Sequence, residues 1–253
     1  MVTQAHTTTK VNAKVEQIRL NSPTRLLIYG SARKASDNSA FMYASKNVAA
    51  DYKKDLPIKS YFLQQGANEL IEIIASQPDN SIQSLDIFCH GSPDGIYFIL
   101  GASMTETFTE KEVRSKNLPS NLYRSMFVMV NMWSPIGSNN FANQHRISNL
   151  KLSAFTNESK IEIHGCSTAS TKSGDDNFCS ALSKELYNAG KKRSVVIGHA
   201  TKANPNIGGT TEIKKQDYRH GTRAIYNNSK LLTTVKTDGR ISANVIRSAL
   251  GGE

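Results

Sequence analysis

The chain predicts an α/β fold, a three-layer αβα arrangement with a mainly parallel sheet and helices on both faces. Three observations carry that expectation. From Arg25, short apolar runs closed by Gly or a turn alternate with amphipathic stretches in the order β-α-β-α-β. The same alternation resumes at Lys160, after an irregular stretch over about 101–159 that reads as an insertion between core strands three and four. At 253 residues, with 38% hydrophobic and 21% charged residues, the chain can bury a full core and has a globular composition.

Residues 1–24 are polar and Thr-rich and read as an N-terminal arm, leaving 25–253 as one domain. Arg25–Gly30 is the first strand. Asp37–Lys53 carries Phe41, Ala44, Val48 and Tyr52 on one stripe and reads as a helix with Asp37 as its cap. Pro57–Leu63 is the second strand. Asn68–Gln77 is a helix stopped by Pro78. Ser84–His90 is the third strand, followed by Ser-Pro-Asp-Gly and a short strand over Ile96–Leu100. Within the insertion, Thr109–Glu112 has a capping-box pattern, Leu122–Trp133 reads as helix or strand, and Ser134–Gln144 is loop-like. Ile161–Gly165 is the fourth strand. Asp175–Ala189 is a helix started by Asp175 or Asp176 and stopped by Gly190. Ser194–Ala200 is the fifth strand, 223–237 a hairpin, and Ile241–Leu250 a short helix.

Several function classes are disfavoured by composition. No run approaches the roughly 18 apolar residues of a membrane span, and the N-terminus lacks the apolar core of a secretory signal. Cys89, Cys166 and Cys179 are an odd number without framework spacing, so free thiols in a reducing compartment are expected. That compartment is the cytoplasm, or one reached without a signal peptide. No C-x-x-C or H-E-x-x-H spacing supports a metal site, and no cofactor is expected. The formal charge of +10 is uneven. Between Lys191 and Arg247 twelve Lys and Arg face Glu212, Asp217 and Asp238, a net +9. That concentration suits either a solvated basic surface or contact with nucleic acid, an acidic protein or a phosphorylated small molecule.

Two strand ends carry the chemistry. Ser84–Ser92 ends its apolar run at His90-Gly91, and Lys160–Ala169 ends its own at Gly165-Cys166. In a parallel sheet the carboxyl ends of all strands meet at one edge, where sites collect. If strands three and four are neighbours, their axes lie about 4.8 Å apart. A thiol and an imidazole then face one substrate as nucleophile and proton-transfer partner. The N–H groups of Gly91 and Cys166 are candidates for an oxyanion hole. Cys89 and Cys179 read as buried filler, His164 as a hydrogen-bonded core histidine, and His199 stays outside the catalytic set. Cys166 taken alone would also read as structural.

Ile-Phe-Cys-His-Gly-Ser-Pro-Asp-Gly (87–95) and Ile-Glu-Ile-His-Gly-Cys-Ser-Thr-Ala (161–169), with the helix and strand that follow, resemble the motifs of the clan CD, caspase-like cysteine peptidases. The Gly-Cys-Ser-Thr form is similar to the bacterial toxin-autoprocessing and clostripain-type members, and the Gln-Ala-Cys of caspases is absent. The resemblance covers about 25–100 and 160–200. It implies Cys166 as nucleophile, His90 as general acid/base, a protein or peptide substrate and self-processing in a bacterial effector or toxin. It also implies a substrate-selecting pocket near Thr201–Arg223, where Lys202, Lys214 and Arg219 would select an acidic residue. An inositol phosphate on the basic face, as an activator, is implied by the toxin members. The alternative is a caspase-like scaffold without catalysis, a basic binding module for nucleic acid, an acidic protein or a phosphorylated ligand. A Rossmann-like binder is poorly supported, because Tyr29-Gly30-Ser-Ala-Arg lacks G-x-G-x-x-G.

Overall fold

The computed structural model describes residues 23–52, 55–99, 101–107, 124–128, 143–170 and 176–252. Residues 1–22 of the arm expected over 1–24 and the capping-box segment Thr109–Glu112 lie outside the described residues, and Thr24 belongs to the first strand.

A seven-stranded sheet forms the centre, built from β1 (Thr24–Gly30), β2 (Ile58–Leu63), β3 (Ile82–Phe88), β8 (Phe155–Ile163), β9 (Val195–His199), β10 (Arg223–Asn227) and β11 (Lys230–Val235). Its order is β11-β10-β9-β8-β3-β1-β2. The five strands from β9 to β2 are parallel, and the β10–β11 hairpin closes one side antiparallel. The hairpin turns at Asn228 and Ser229, both with positive φ.

Side-chain parity assigns the layers, because successive strand residues point to opposite faces. On one face Leu26, Ile28, Ile87, Ile161, Ile163 and Val196 are buried under α2 (Gly66–Ala75) and α3 (Phe178–Asn188). On the other face Leu27 and Phe88 pack on α1 (Ala35–Asp51) through Phe41, Ala44 and Val48. Val195, Ile197 and Ile225 pack there on α4 (Ala243–Ala249) through Ile246. Each fully buried Leu or Ile contributes about 1.5–3 kcal/mol.

Between those two apolar patches runs a charged stripe. Lys160 and Glu162 on β8 and His164 just past its end alternate along this face, flanked by Asp86 on β3 and by His199 and Arg223 on β9 and β10. Glu162 is 1% exposed, and Asp86, His164 and Arg223 are fully buried. Partners compensate the burial. Arg223 Nη1 donates to Glu162 Oε1 at 2.7 Å, and Lys160 Nζ donates to Glu162 Oε2 at 3.0 Å. Asp86 meets His164 Nε2 at 3.1 Å and also accepts from the Tyr52 hydroxyl. Burial would raise the Glu162 carboxyl, but Lys160, His164 and Arg223 hold it well below the carboxylate range. Burial pulls His199 down to about 3, so it stays neutral.

Several sequence expectations shift. The third strand ends at Phe88, and His90 opens β4 (His90–Ser92) of a second sheet with β5 (Gly95–Ile99), β6 (Arg124–Val128) and β7 (Asn143–Arg146) in the order β4-β5-β6-β7. The part of Leu122–Trp133 that is described is therefore strand. The fourth core strand starts at Phe155, inside the expected insertion, and pairs there with Ile82. Asp37 is not the cap of α1. The cap position is Lys34, and Asp37 sits in the first turn. Nor do Asp175 or Asp176 start α3, since Asn177 caps it through its side chain at Ser180 N–H, 3.0 Å away. Among the described residues no helix is long and apolar enough to cross a membrane.

Candidate active site

β3 and β8 are adjacent and parallel, so the loops after Phe88 and Ile163 leave the sheet side by side. Their approach is close. A Cβ at Gly91 would lie 2.5 Å from Thr168 Cγ2 and 3.2 Å from the Cys166 carbonyl oxygen. Only glycine lets the histidine-bearing loop lie against Gly165-Cys166 at that spacing. Phe178 N–H also donates to the Pro93 carbonyl at 2.7 Å, tying the start of α3 to the same loop.

Cys166 is half-buried, in the turn between β8 and α3. Its Sγ lies 3.7 Å from the Ala203 carbonyl oxygen. The turn is pinned on the β9 side, where Ser167 N–H donates to Thr201 O at 2.7 Å and Ala169 N–H to His199 O at 3.0 Å. Thr168 Oγ1 closes it onto Gly165 O at 3.1 Å. Ser167 adopts φ +57, a left-handed conformation that non-glycine residues use sparingly and that clusters at functional sites. Among the described residues no acceptor takes the Cys166 N–H.

The His90 side chain is half-exposed, and its Nε2 lies 3.3 Å from Asp37 Oδ2. Phe41 meets the ring edge-on at 5.5 Å between centroids. The Asp37 carboxyl is held below its ordinary range, first by its hydrogen bond to His90. The contact engages Nε2 of the ring. Asp37 is the residue that sequence reasoning misplaced. An aspartate in a first helical turn is explained locally by the helix dipole, and nothing local points to a histidine 53 positions later. Tyr218 was missed entirely. It is buried between Phe41 (5.6 Å) and Phe88 (6.5 Å). Its hydroxyl is pushed up by burial and then by the negative charge of Asp37.

The three basic residues expected to select substrate do not act alike. Lys202 and Lys214 are exposed. Arg219 is 3% exposed, with Nη2 2.6 Å from Asp217 Oδ2 and Nη1 2.8 Å from Asp51 Oδ2. It clamps the 201–221 loop onto the end of α1, and its charge is spent on two carboxylates.

The other thiols differ from Cys166. Cys89 and Cys179 are buried, and burial raises both, Cys179 to about 12. His164 stacks on Phe88 at 4.2 Å and binds Asp86, as a core histidine does. Asp86, Glu162 and His164 bring ligand atoms within 4.8 Å of one another. The Lys160 ammonium, 3.0 Å from Glu162 and 3.8 Å from Asp86, and the Arg223 guanidinium already stand where a cation would sit.

Asp37→Asn is expected to lower kcat by roughly ten- to a hundred-fold, with KM and melting temperature little changed. Asp37→Glu should restore part of the loss. A change in KM or stability alone would instead mark Asp37 as structural.

No family model matches the chain, and neither a curated protein nor a solved structure matches it.

Proposed function

We propose that the protein is a cysteine endopeptidase of caspase-like architecture, with Cys166 as nucleophile and His90 as general acid/base. The observation that supports it best is the packing of Gly91 on Gly165-Cys166, which sets a histidine loop and a cysteine loop at one sheet edge. The Asp37 carboxylate on His90 Nε2 adds the third group that fixes an imidazole for proton transfer.

In this reading His90 takes the Cys166 thiol proton, the resulting thiolate attacks the scissile carbonyl carbon, and the carbonyl oxygen becomes an oxyanion facing the Cys166 and Gly91 N–H groups. Collapse breaks the C–N bond as His90 gives a proton to the leaving amine. A thioester to Cys166 remains. Water, losing its proton to His90, then attacks that thioester, releases the carboxylate and regenerates the thiol. The half-exposure of both side chains gives a peptide access from solvent. Selection of an acidic residue would rest on exposed Lys202 and Lys214.

Alkylation tests the reading. Iodoacetamide at neutral pH is expected to modify Cys166 well before Cys89 and Cys179, with peptide turnover falling in step. Equal labelling of all three thiols in the folded protein, or turnover that survives full alkylation of Cys166, would overturn it.

A further inference from the structure

The charged stripe on the α1/α4 face ends, at the amino edge of the sheet, in a cavity of about 450 Å³. It lies where α1 and α4 diverge, at the strand ends remote from Cys166. Arg25 and Ser84 mark the starts of β1 and β3 in its wall, and Val195 the start of β9. Its lining includes the apolar side chains of Leu56, Ile241, Ile246 and Leu250. The same lining carries five cations, Arg25, Lys160, Arg193, Arg240 and Arg247, against Asp55 and Glu158.

The partners of those cations separate them into two sets. Arg25 is paired with Asp55 at 3.3 Å, Arg193 with Glu158 at 2.7 Å, and Lys160 with Glu162 and Asp86. Arg240 reaches only the Asp51 carbonyl at 3.4 Å, and Arg247 only the Asn244 amide oxygen. Among the described residues neither has a carboxylate within ion-pair distance. Two guanidiniums without a carboxylate partner among the described residues thus share the lining with apolar side chains, which suits a ligand with a negative head and an apolar body. Asp55 and Glu158 on the same rim disfavour a ligand charged all round.

We propose that this cavity binds a small amphiphilic oxyanion, its head group held by Arg240 and Arg247 and its apolar body laid on Leu56, Ile241, Ile246 and Leu250. The site is independent of the peptidase reading, since it neither contains nor touches Cys166 or His90.

The probe is 8-anilinonaphthalene-1-sulfonate, titrated into the whole protein by fluorescence, with N-phenyl-1-naphthylamine as the uncharged body. One saturable sulfonate site is expected. Arg240→Gln/Arg247→Gln should weaken it by at least about tenfold and leave the neutral probe unaffected, because only the head-group contacts are lost. Both substitutions are at exposed positions, and circular dichroism checks the fold. Ala243→Trp, which fills the mouth of the cavity, should displace both probes. Competition by octanoate or by octyl phosphate supports the site and tells which head group it prefers. Sulfonate affinity unchanged in the double variant, affinity unchanged by Ala243→Trp, or no competition by either amphiphile would each overturn the proposal. Inorganic phosphate competing as well as octyl phosphate would overturn it too, since the apolar wall would then do nothing.

Discussion

Cys166→Ala is expected to lower peptide turnover by at least about 10⁴-fold while leaving the melting temperature within a few degrees of the parent. The two halves of that expectation have separate causes. In the proposed mechanism turnover depends on a covalent step that Cys89 and Cys179 are not placed to supply, because both are buried and burial raises both above the ordinary thiol range. Stability depends on packing, and among the described residues the hydrogen bond of the half-buried Cys166 side chain is a long one to Ala203 O. His90→Ala should lose a similar factor, since nucleophile and proton donor act as a unit and their losses do not add. Steady-state turnover of a peptide library, with a melt on the same samples, reads both quantities. Parent-like cleavage by the Cys166 variant would remove the thiol from the mechanism, and a collapsed melt would mark Cys166 as structural.

The largest stability effect is expected from Arg223→Met, about 3–5 kcal/mol by urea denaturation. Arg223 is fully buried and gives Nη1 to Glu162 at 2.7 Å and Nη2 to the Thr237 and Gly239 carbonyls at 2.7 and 2.8 Å. Without it Glu162 keeps only Lys160, which also faces Asp86, so the stripe carries an uncompensated negative charge where water cannot reach it. Two carbonyls of the 237–239 turn lose their donor as well. The double variant Arg223→Met/Glu162→Leu should recover part of the loss, because it removes the charge and its partner together. A single variant as stable as the parent would mean the pair contributes nothing.

The architecture was largely legible because it rests on local signals. The apolar runs at Arg25–Gly30 and Ser194–Ala200 and the stripe on α3 each declare a strand or a helix within a few residues. Boundaries were less legible where tertiary pairing sets them. Phe155 joins β8 through its partner Ile82, and nothing in Phe155–Ser159 announces a core strand. Lys160–His164 alternates apolar and polar residues, the pattern of a strand with one wet face. Its polar face is instead buried, because Asp86 and Arg223 arrive from distant strands to neutralise it. The same reason hid the contacts of Asp37 and Arg219. Each is decided by a partner that the local sequence does not reveal, His90 for the first and Asp51 for the second.

The adjacency of β3 and β8 also has a kinetic side. β1, β2 and β3 are joined by short βα units, whereas β8 reaches β3 only after the 89–154 segment has closed as a loop. Closing so long a segment costs entropy before any contact repays it, so this pairing belongs to the slow, late events of assembly. His90 leaves the early half and Cys166 the late one. A nascent or half-folded chain therefore holds its thiol apart from its imidazole, and any cleavage the pair performs begins only once the sheet is whole.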